Sequence, residues 1–302
     1  MRVSDLSKPE FIKLVSDQGV SIKTGPFVVN IQSPIKTLQD NLFRLYQHNH
    51  VAHRQEYVDF NIRIAPPKSV RAFWRPQAYF YLDDRVPFKP LPYSQAFPML
   101  EWGMNWCVSN HAHQYLIIHA AVIERNGQAI LMPAPPGSGK STLCAGLVSR
   151  GWHLLSDELA LFSVETGKLV SLARPVNLKN ESIDVMQRYA PEATFSARFP
   201  DTSKGTVSLM AAPAESVDSA QIAVPLRHVI FPQYDKQSTL HCNEISPAEG
   251  FLRVVENAFN YSILGLQGFE LLIKAMDKVP VLSLEYSELD TAIDFFNGLV
   301  DV

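Results

Sequence analysis

The sequence predicts an α/β protein built on a mixed sheet, preceded by a smaller β-rich domain. Three observations carry that prediction. Before a proline-rich joint, "RVPFKPLPYS" at 85–94, the chain holds strand-like pieces joined by polar loops. After it, strand-like and helix-like segments alternate, as in α/β domains. Within that second part Asn126-Gly127 sits between two apolar, β-branched runs, the strongest short signal for a tight β-hairpin. A two-residue turn cannot join parallel strands, so the sheet cannot be wholly parallel. The expected division is residues 1–92 as the β-rich domain and 93–302 as the α/β domain.

The elements follow in chain order. "FVVNIQ", "YVDFNIRIA" and "AFWRPQAYFYLDD" are the strand-like pieces of the first part, and "FWRPQAYFYL" reads as a strand pair filling its core. "YLIIHAAVIER" and "QAILMPA" are the two strands flanking Asn126-Gly127. The second strand enters the loop 134–140, and "STLCAGLVSRG" continues as a helix closed by Gly151. "WHLLSDELALF" returns as an apolar stretch carrying the acidic pair Asp157 and Glu158. Further on, "AEGFLRVVENAFN" and "GFELLIKAMDKV" have helical spacing and "VPVLSLEYS" reads as a strand. "ELDTAIDFFNGLV" is a last helix, capped by Ser287 with Asp290 three residues on.

Composition narrows the function. The 302 residues are 46% hydrophobic and 19% charged, with a net charge of −3, which gives no electrostatic reason to expect nucleic acid. The start of the chain lacks the apolar run of a secretory signal, and no stretch approaches a membrane span. Three scattered cysteines without any CxxC suit a reducing compartment, so a cytoplasmic location is expected. "HNHVAH" (His48, His50, His53) and "HAH" (His111, His113) lack a carboxylate or thiol at ligand spacing and do not read as a zinc site.

The chemistry concentrates at "APPGSGKS", residues 134–141. An [AG]xxxxGK[ST] string arises by chance in roughly one chain of this length in fifty, so its flanks decide its meaning. Strand, loop and helix stand here in the order that a phosphate-binding loop needs. Gly137 and Gly139 permit backbone angles that turn successive N–H groups inward, toward phosphate oxygens. Pro136, Gly137, Ser138, Gly139, Lys140, Ser141 and Thr142 are therefore the candidate nucleotide contacts. Lys140 offers a charge to the outer phosphates, Ser141 a hydroxyl to Mg²⁺, and the helix start adds partial positive charge. One helix and a return strand separate Lys140 from Asp157 and Glu158, a spacing that brings the acids back beside the loop as candidate metal ligands with Ser141.

The stretch "IIHAAV…NGQAILMPAPPGSGKSTLCAGLVSRGWHLLSDE" resembles the catalytic core of the HPr kinase/phosphorylase family. It is similar more narrowly to the HPr-kinase-related proteins called HprK-related kinase A, in which "ARPVNLKN" and a later "KGTV" segment recur. The resemblance covers residues 113–235 well and the C-terminal third weakly. The first hundred residues do not match the family's own N-terminal domain. It implies a P-loop fold of the HPr-kinase/PEP-carboxykinase type, with ATP and Mg²⁺ as cofactors. It also implies that His119 is the active-site His, that Lys140 and Ser141 contact phosphate and metal, and that Asp157 is the general base toward a seryl hydroxyl. Departures are visible. Ala134 replaces the opening Gly, and Glu158 replaces the family's second Asp. "SLARPV" lacks the acid that precedes Arg-Gly in the family and supplies a second metal contact.

Arg174, Lys179 and Lys204 are the basic residues expected nearest the substrate, Lys204 in a Gly-containing loop that can serve as a lid. The reading that follows is an ATP- and Mg²⁺-dependent kinase whose phospho-acceptor is a hydroxyl, most simply a serine of a protein or peptide. The kinase-related group's association with peptide-modification gene clusters points the same way. Two alternatives stay open: a nucleotide-binding sensor without phosphotransfer, and a small-molecule kinase. Neither nucleic acid nor membrane is expected as a partner, and self-association into a homo-oligomer is left open.

Overall fold

The computed structural model describes residues 1–53, 55–67 and 76–300. The chain begins with helix α1 (Lys8–Asp17), set by a capping box: Ser7 Oγ accepts from the Glu10 backbone N–H while the Glu10 carboxylate accepts from Ser7 N at 3.0 Å. Strands β1 (Val20–Thr24) and β2 (Phe27–Gln32), helix α2 (Lys36–Leu45), and strands β3 (Phe60–Ala65), β4 (Gln77–Leu82) and β5 (Leu91–Pro92) follow. Among the described residues they form a sheet in the order β1-β2-β3-β4-β5, in which the β2–β3 pair is parallel and the others antiparallel. The expected β-rich region is thus mixed α and β. A helix between β2 and β3 is what a parallel pair needs, since its strands cannot be joined by a tight turn. The first part of the expected strand pair, Phe73–Arg75, lies outside the described residues; its second strand is β4.

Helix α3 (Ala96–His111) packs on this sheet so closely that a Cβ on Gly103 would lie 1.9 Å from the Phe80 ring. Phe80, Phe97, Leu100 and Met104 belong to one hydrophobic cluster with Ile117, Leu159, Leu172 and Phe199 from the following elements. Apolar packing therefore runs across the joint at 92–93.

The central sheet begins with β6 (Tyr115–Arg125) and β7 (Gln128–Pro133), an antiparallel hairpin in register from Ala120↔Pro133 to Arg125↔Gln128. Asn126 and Gly127 both have positive φ, 56° and 74°, as a type I′ turn requires. Helix α4 (Lys140–Ser149) leads to β8 (His153–Ser156), β9 (Leu159–Ser163) and β10 (Leu169–Val170). Three strands stand apart from the central sheet: β11 (Val176–Lys179), β12 (Phe199–Thr202) and β13 (Gly205–Met210) pair in the order β11-β13-β12, with helix α5 (Glu181–Tyr189) between β11 and β12. After the short helix α6 (Ala214–Asp218) come β14 (Leu226–Tyr234) and β15 (His241–Glu244). The chain ends with helices α7 (Pro247–Glu256), α8 (Tyr261–Leu264) and α9 (Leu266–Met276), strand β16 (Val281–Tyr286) and helix α10 (Leu289–Val300).

Among the described residues the central sheet has the order β10-β9-β6-β7-β14-β16-β15, with β8 also on β6. β7–β14 and β14–β16 are parallel and the other pairs antiparallel, so the sheet is mixed. Both faces are covered. Ile130 and Met132 meet Leu143, Leu147, Trp152 and Phe296 on one side, while Ala129 and Leu131 meet Val254, Leu272 and Met276 on the other. The last helix starts at Leu289, one residue later than a Ser287 cap would place it.

Candidate functional site

The loop between β7 and α4 has the geometry its residue types allow. Gly137 and Gly139 lie at φ +92° and +83°, in the left-handed region that favours glycine, whereas Ala134 is buried and not in that region. Gly139 is needed twice over: a Cβ there would stand 2.7 Å from Tyr234 Cβ and 2.8 Å from the Tyr286 hydroxyl. These two tyrosines, paired across β14 and β16, form the floor of the loop. Tyr234 N donates to Ser138 O at 2.9 Å and Tyr286 Oη to Gly139 O at 3.2 Å. Neither tyrosine is singled out by the local sequence pattern around the loop. Pro135, Pro136 and Gly137 are exposed, Ser141 and Thr142 half-buried.

Lys140 opens α4 and is buried, its Nζ 3.3 Å from His119 Nε2. Burial, then the Lys140 charge, holds the His119 imidazole down at about 4 from its ordinary 6.5. A neutral ring is the consequence, so its free Nε2 lone pair accepts from the ammonium. Burial also lowers the Lys140 pKa, opposed by the charges of Asp157 and Glu158.

The acidic pair falls where β8 hands over to β9. Both strands pair with β6, through Val122↔Ser156 before the pair and His119↔Leu159 after it. Asp157 and Glu158 therefore stand at a short interruption of one strand line, beside His119. Asp157 is 4% exposed. Its Oδ2 accepts from Asn177 N at 3.0 Å, and its Oδ1 is buried with no partner among the described residues. Burial raises the Asp157 pKa and the Lys140 charge opposes the rise; the Glu158 charge adds to it and the Asn177 backbone N–H counters it. Glu158 behaves oppositely. Burial pushes it up, but Lys204, Lys179, Lys140 and His119 outweigh that and hold it below the usual range.

Two asparagines that the motif does not announce hold Glu158: Asn105 Nδ2 donates to Oε2 at 2.6 Å and Asn177 Nδ2 to Oε1 at 3.3 Å. Arg174 is nearby but committed. It donates to Glu101 Oε2 at 2.6 Å, Glu101 O at 2.9 Å and Asn105 Oδ1 at 2.6 Å, and Tyr46 Oη donates to the other Glu101 oxygen at 2.7 Å. Its charge is thereby neutralised in a buried pair rather than offered to a ligand. Lys179, at the end of β11, is half-buried, and Lys204 is exposed in the β12–β13 turn with Nζ 5.5 Å from the Trp102 ring centre. Glu101, Trp102, Asn105, Asp157, Glu158 and Asn177 line one cleft.

Among the described residues no three His, Cys, Asp or Glu side chains gather as a metal-binding group. His50 Nε2 instead lies 3.6 Å from Asp218, and His48 Nε2 3.2 Å from the Gln47 amide. No helix of the described residues is long and apolar enough to cross a membrane.

The family model of the SynChlorMet cassette protein ScmC matches residues 97–175, the span from α3 to the segment that follows the acidic pair. No curated protein matches the chain. A solved structure, the Hpr(Ser) kinase/phosphatase from Coxiella burnetii, is similar at 13% identity, covering 61% of this chain and 93% of that one with a TM-score of 0.29.

Proposed function

We propose that the chain is an ATP-dependent kinase that transfers the γ-phosphate to a hydroxyl, a serine of a protein or peptide being the acceptor that its sequence resemblance favours. The observation that carries the reading is the convergence of the Gly137–Lys140 loop with a buried aspartate that keeps one oxygen free. Backbone N–H groups of the loop and the start of α4 suit an anion, and Lys140 adds the charge for the outer phosphates. His119 holds that ammonium in place by accepting from it.

Asp157 is the base in this reading. Its raised pKa makes it a better proton acceptor than an exposed aspartate, and the Lys140 charge limits the rise. It takes the proton from the acceptor hydroxyl as that oxygen bonds to the γ-phosphorus and the bond to the β–γ bridging oxygen breaks, releasing ADP. The unpartnered Asp157 Oδ1 also fits a cation. Ser141, Asp157 and Glu158 would hold Mg²⁺, which supplies neutralisation of phosphate charge when bound. Lys179 and Lys204 act electrostatically on Glu158 and suit the acceptor or the transferred phosphoryl group. ATP use and the free cysteines fit the cytoplasm.

The test is calorimetry with ADP and ATP, followed by incubation with labelled ATP and candidate peptides read by mass spectrometry. Nucleotide binding with phosphate appearing on a hydroxyl is expected. Binding without transfer to any acceptor would favour a nucleotide sensor, and no binding would remove the reading altogether.

A further inference from the structure

We infer that Asn177 is a direct ligand of a divalent cation, completing through its side-chain carbonyl a site that Asp157 and Glu158 leave short of oxygens. The inference rests on the kinase reading above and extends it to a residue outside the phosphate-loop and acidic motifs.

Two atoms point to it. Asn177 is 6% exposed and Asp157 4%, so both side chains are essentially out of water. In each, one oxygen finds no hydrogen-bond partner among the described residues: Asn177 Oδ1 and Asp157 Oδ1. A carboxylate oxygen and an amide oxygen are acceptors only, and an unpaired buried acceptor costs about 1–3 kcal/mol. The other polar atom of each group has a partner. Asp157 Oδ2 accepts from Asn177 N, and Asn177 Nδ2 donates to Glu158 Oε1. These bonds tie the two side chains and Glu158 together, and all three residues line the same cleft. Spare oxygens in a buried cleft beside two carboxylates are what a hard divalent cation takes as ligands.

The sequence supplies a reason for the arrangement. "SLARPV" has no acid ahead of Arg174, so no carboxylate from that segment can serve as a metal contact. Ser171, Leu172 and Ala173 stand at the three preceding positions, and the Arg174 guanidinium is itself bonded to Glu101. Asn177, three residues on at the start of β11, brings an uncharged oxygen to the cleft instead. Asp157, Glu158, Asn177 and Ser141 would together make a mixed set of carboxylate, amide and hydroxyl oxygens. Such a set has less negative charge than three carboxylates and depends more on the nucleotide's phosphates for affinity.

The experiment is Mn²⁺ binding to the full chain, read by electron paramagnetic resonance with and without ADP. It compares the unmutated protein with Asn177→Ala and Asn177→Asp, each checked for folding by circular dichroism. Asn177→Ala removes the oxygen, whereas Asn177→Asp keeps an oxygen and loses the donor to Glu158. The expected result is Mn²⁺ affinity on the order of 10-fold or more weaker in Asn177→Ala, and retained or tightened in Asn177→Asp. Unchanged affinity in Asn177→Ala would overturn the inference. Equal losses in both variants would also overturn it, since Asn177 would then act only by holding Glu158. ADP binding in the unmutated chain without any Mn²⁺ would defeat the cation site alone, and binding of neither would defeat the kinase reading with it.

Discussion

Lys140 Nζ lies 3.3 Å from the Nε2 of His119, a residue 21 positions earlier on the strand that the Asn126-Gly127 turn joins to the one entering the loop. The contact needs a neutral imidazole, and burial together with the Lys140 charge keeps it neutral by lowering its pKa to about 4. In the unfolded chain the ring regains its ordinary affinity for a proton, near 6.5. The unfolded state therefore binds more protons between these values, and stability falls as pH drops from about 6.5 toward 4. Above that window the contribution is complete. Denaturant titrations at pH 7, 6 and 5 check this. The stability gap between the unmutated chain and His119→Asn should narrow as pH falls, and parallel curves would mean that the ring is not held neutral.

The two glycines of the loop should respond differently to alanine. At Gly137 nothing among the described residues lies within 4 Å of a new Cβ, so Gly137→Ala adds the strain of positive φ, about 1–2 kcal/mol. At Gly139 the same strain is joined by a collision with Tyr234 Cβ. Gly139→Ala should be the more destabilised in thermal melts, and its nucleotide affinity should fall further in calorimetry.

Arg174 and Glu101 form a buried pair, 8% and 4% exposed. Removing one partner strands the other's charge. Glu101→Ala should cost about 3–5 kcal/mol in chemical denaturation. Tyr46→Phe, which removes one hydroxyl donor to the same carboxylate, should cost about 1–3 kcal/mol. A Glu101→Ala variant as stable as the unmutated chain would show that Arg174 finds other partners or water.

Lys140→Ala should weaken ADP and ATP binding by roughly 10- to 100-fold, the worth of a charge-assisted contact to phosphate. Calorimetry measures it directly, and unchanged affinity would contradict a phosphate role for the loop.

The hairpin, the loop and the acidic pair are legible in the sequence because each is written locally. Asn126-Gly127 needs two positive φ values, and Gly137 and Gly139 punctuate a strand-to-helix step. The helices of the first part are legible only in retrospect, through the Ser7–Glu10 capping box and the parallel β2–β3 pair that a polar loop cannot join. What supports the acids is not written locally at all. Asn105 and Asn177 reach Glu158 from 53 and 19 residues away, and asparagine carries no pattern that marks it as a partner. The same holds for Arg174. As a lone basic residue on "ARPVNLKN" it reads as a substrate contact, until Glu101, 73 residues earlier, is seen to claim it. Tyr234 and Tyr286 floor the loop from strands that only the sheet order brings together.

The measurement that bears most directly on phosphotransfer compares Asp157→Asn with the unmutated chain in two assays, nucleotide binding by calorimetry and transfer from labelled ATP. Asparagine keeps the side chain's shape and can still accept from Asn177 N, but it cannot take a proton. Transfer should fall by about 10²- to 10⁴-fold while ATP still binds. Near-normal transfer by Asp157→Asn would contradict the assignment, and the base would have to be sought elsewhere in the cleft.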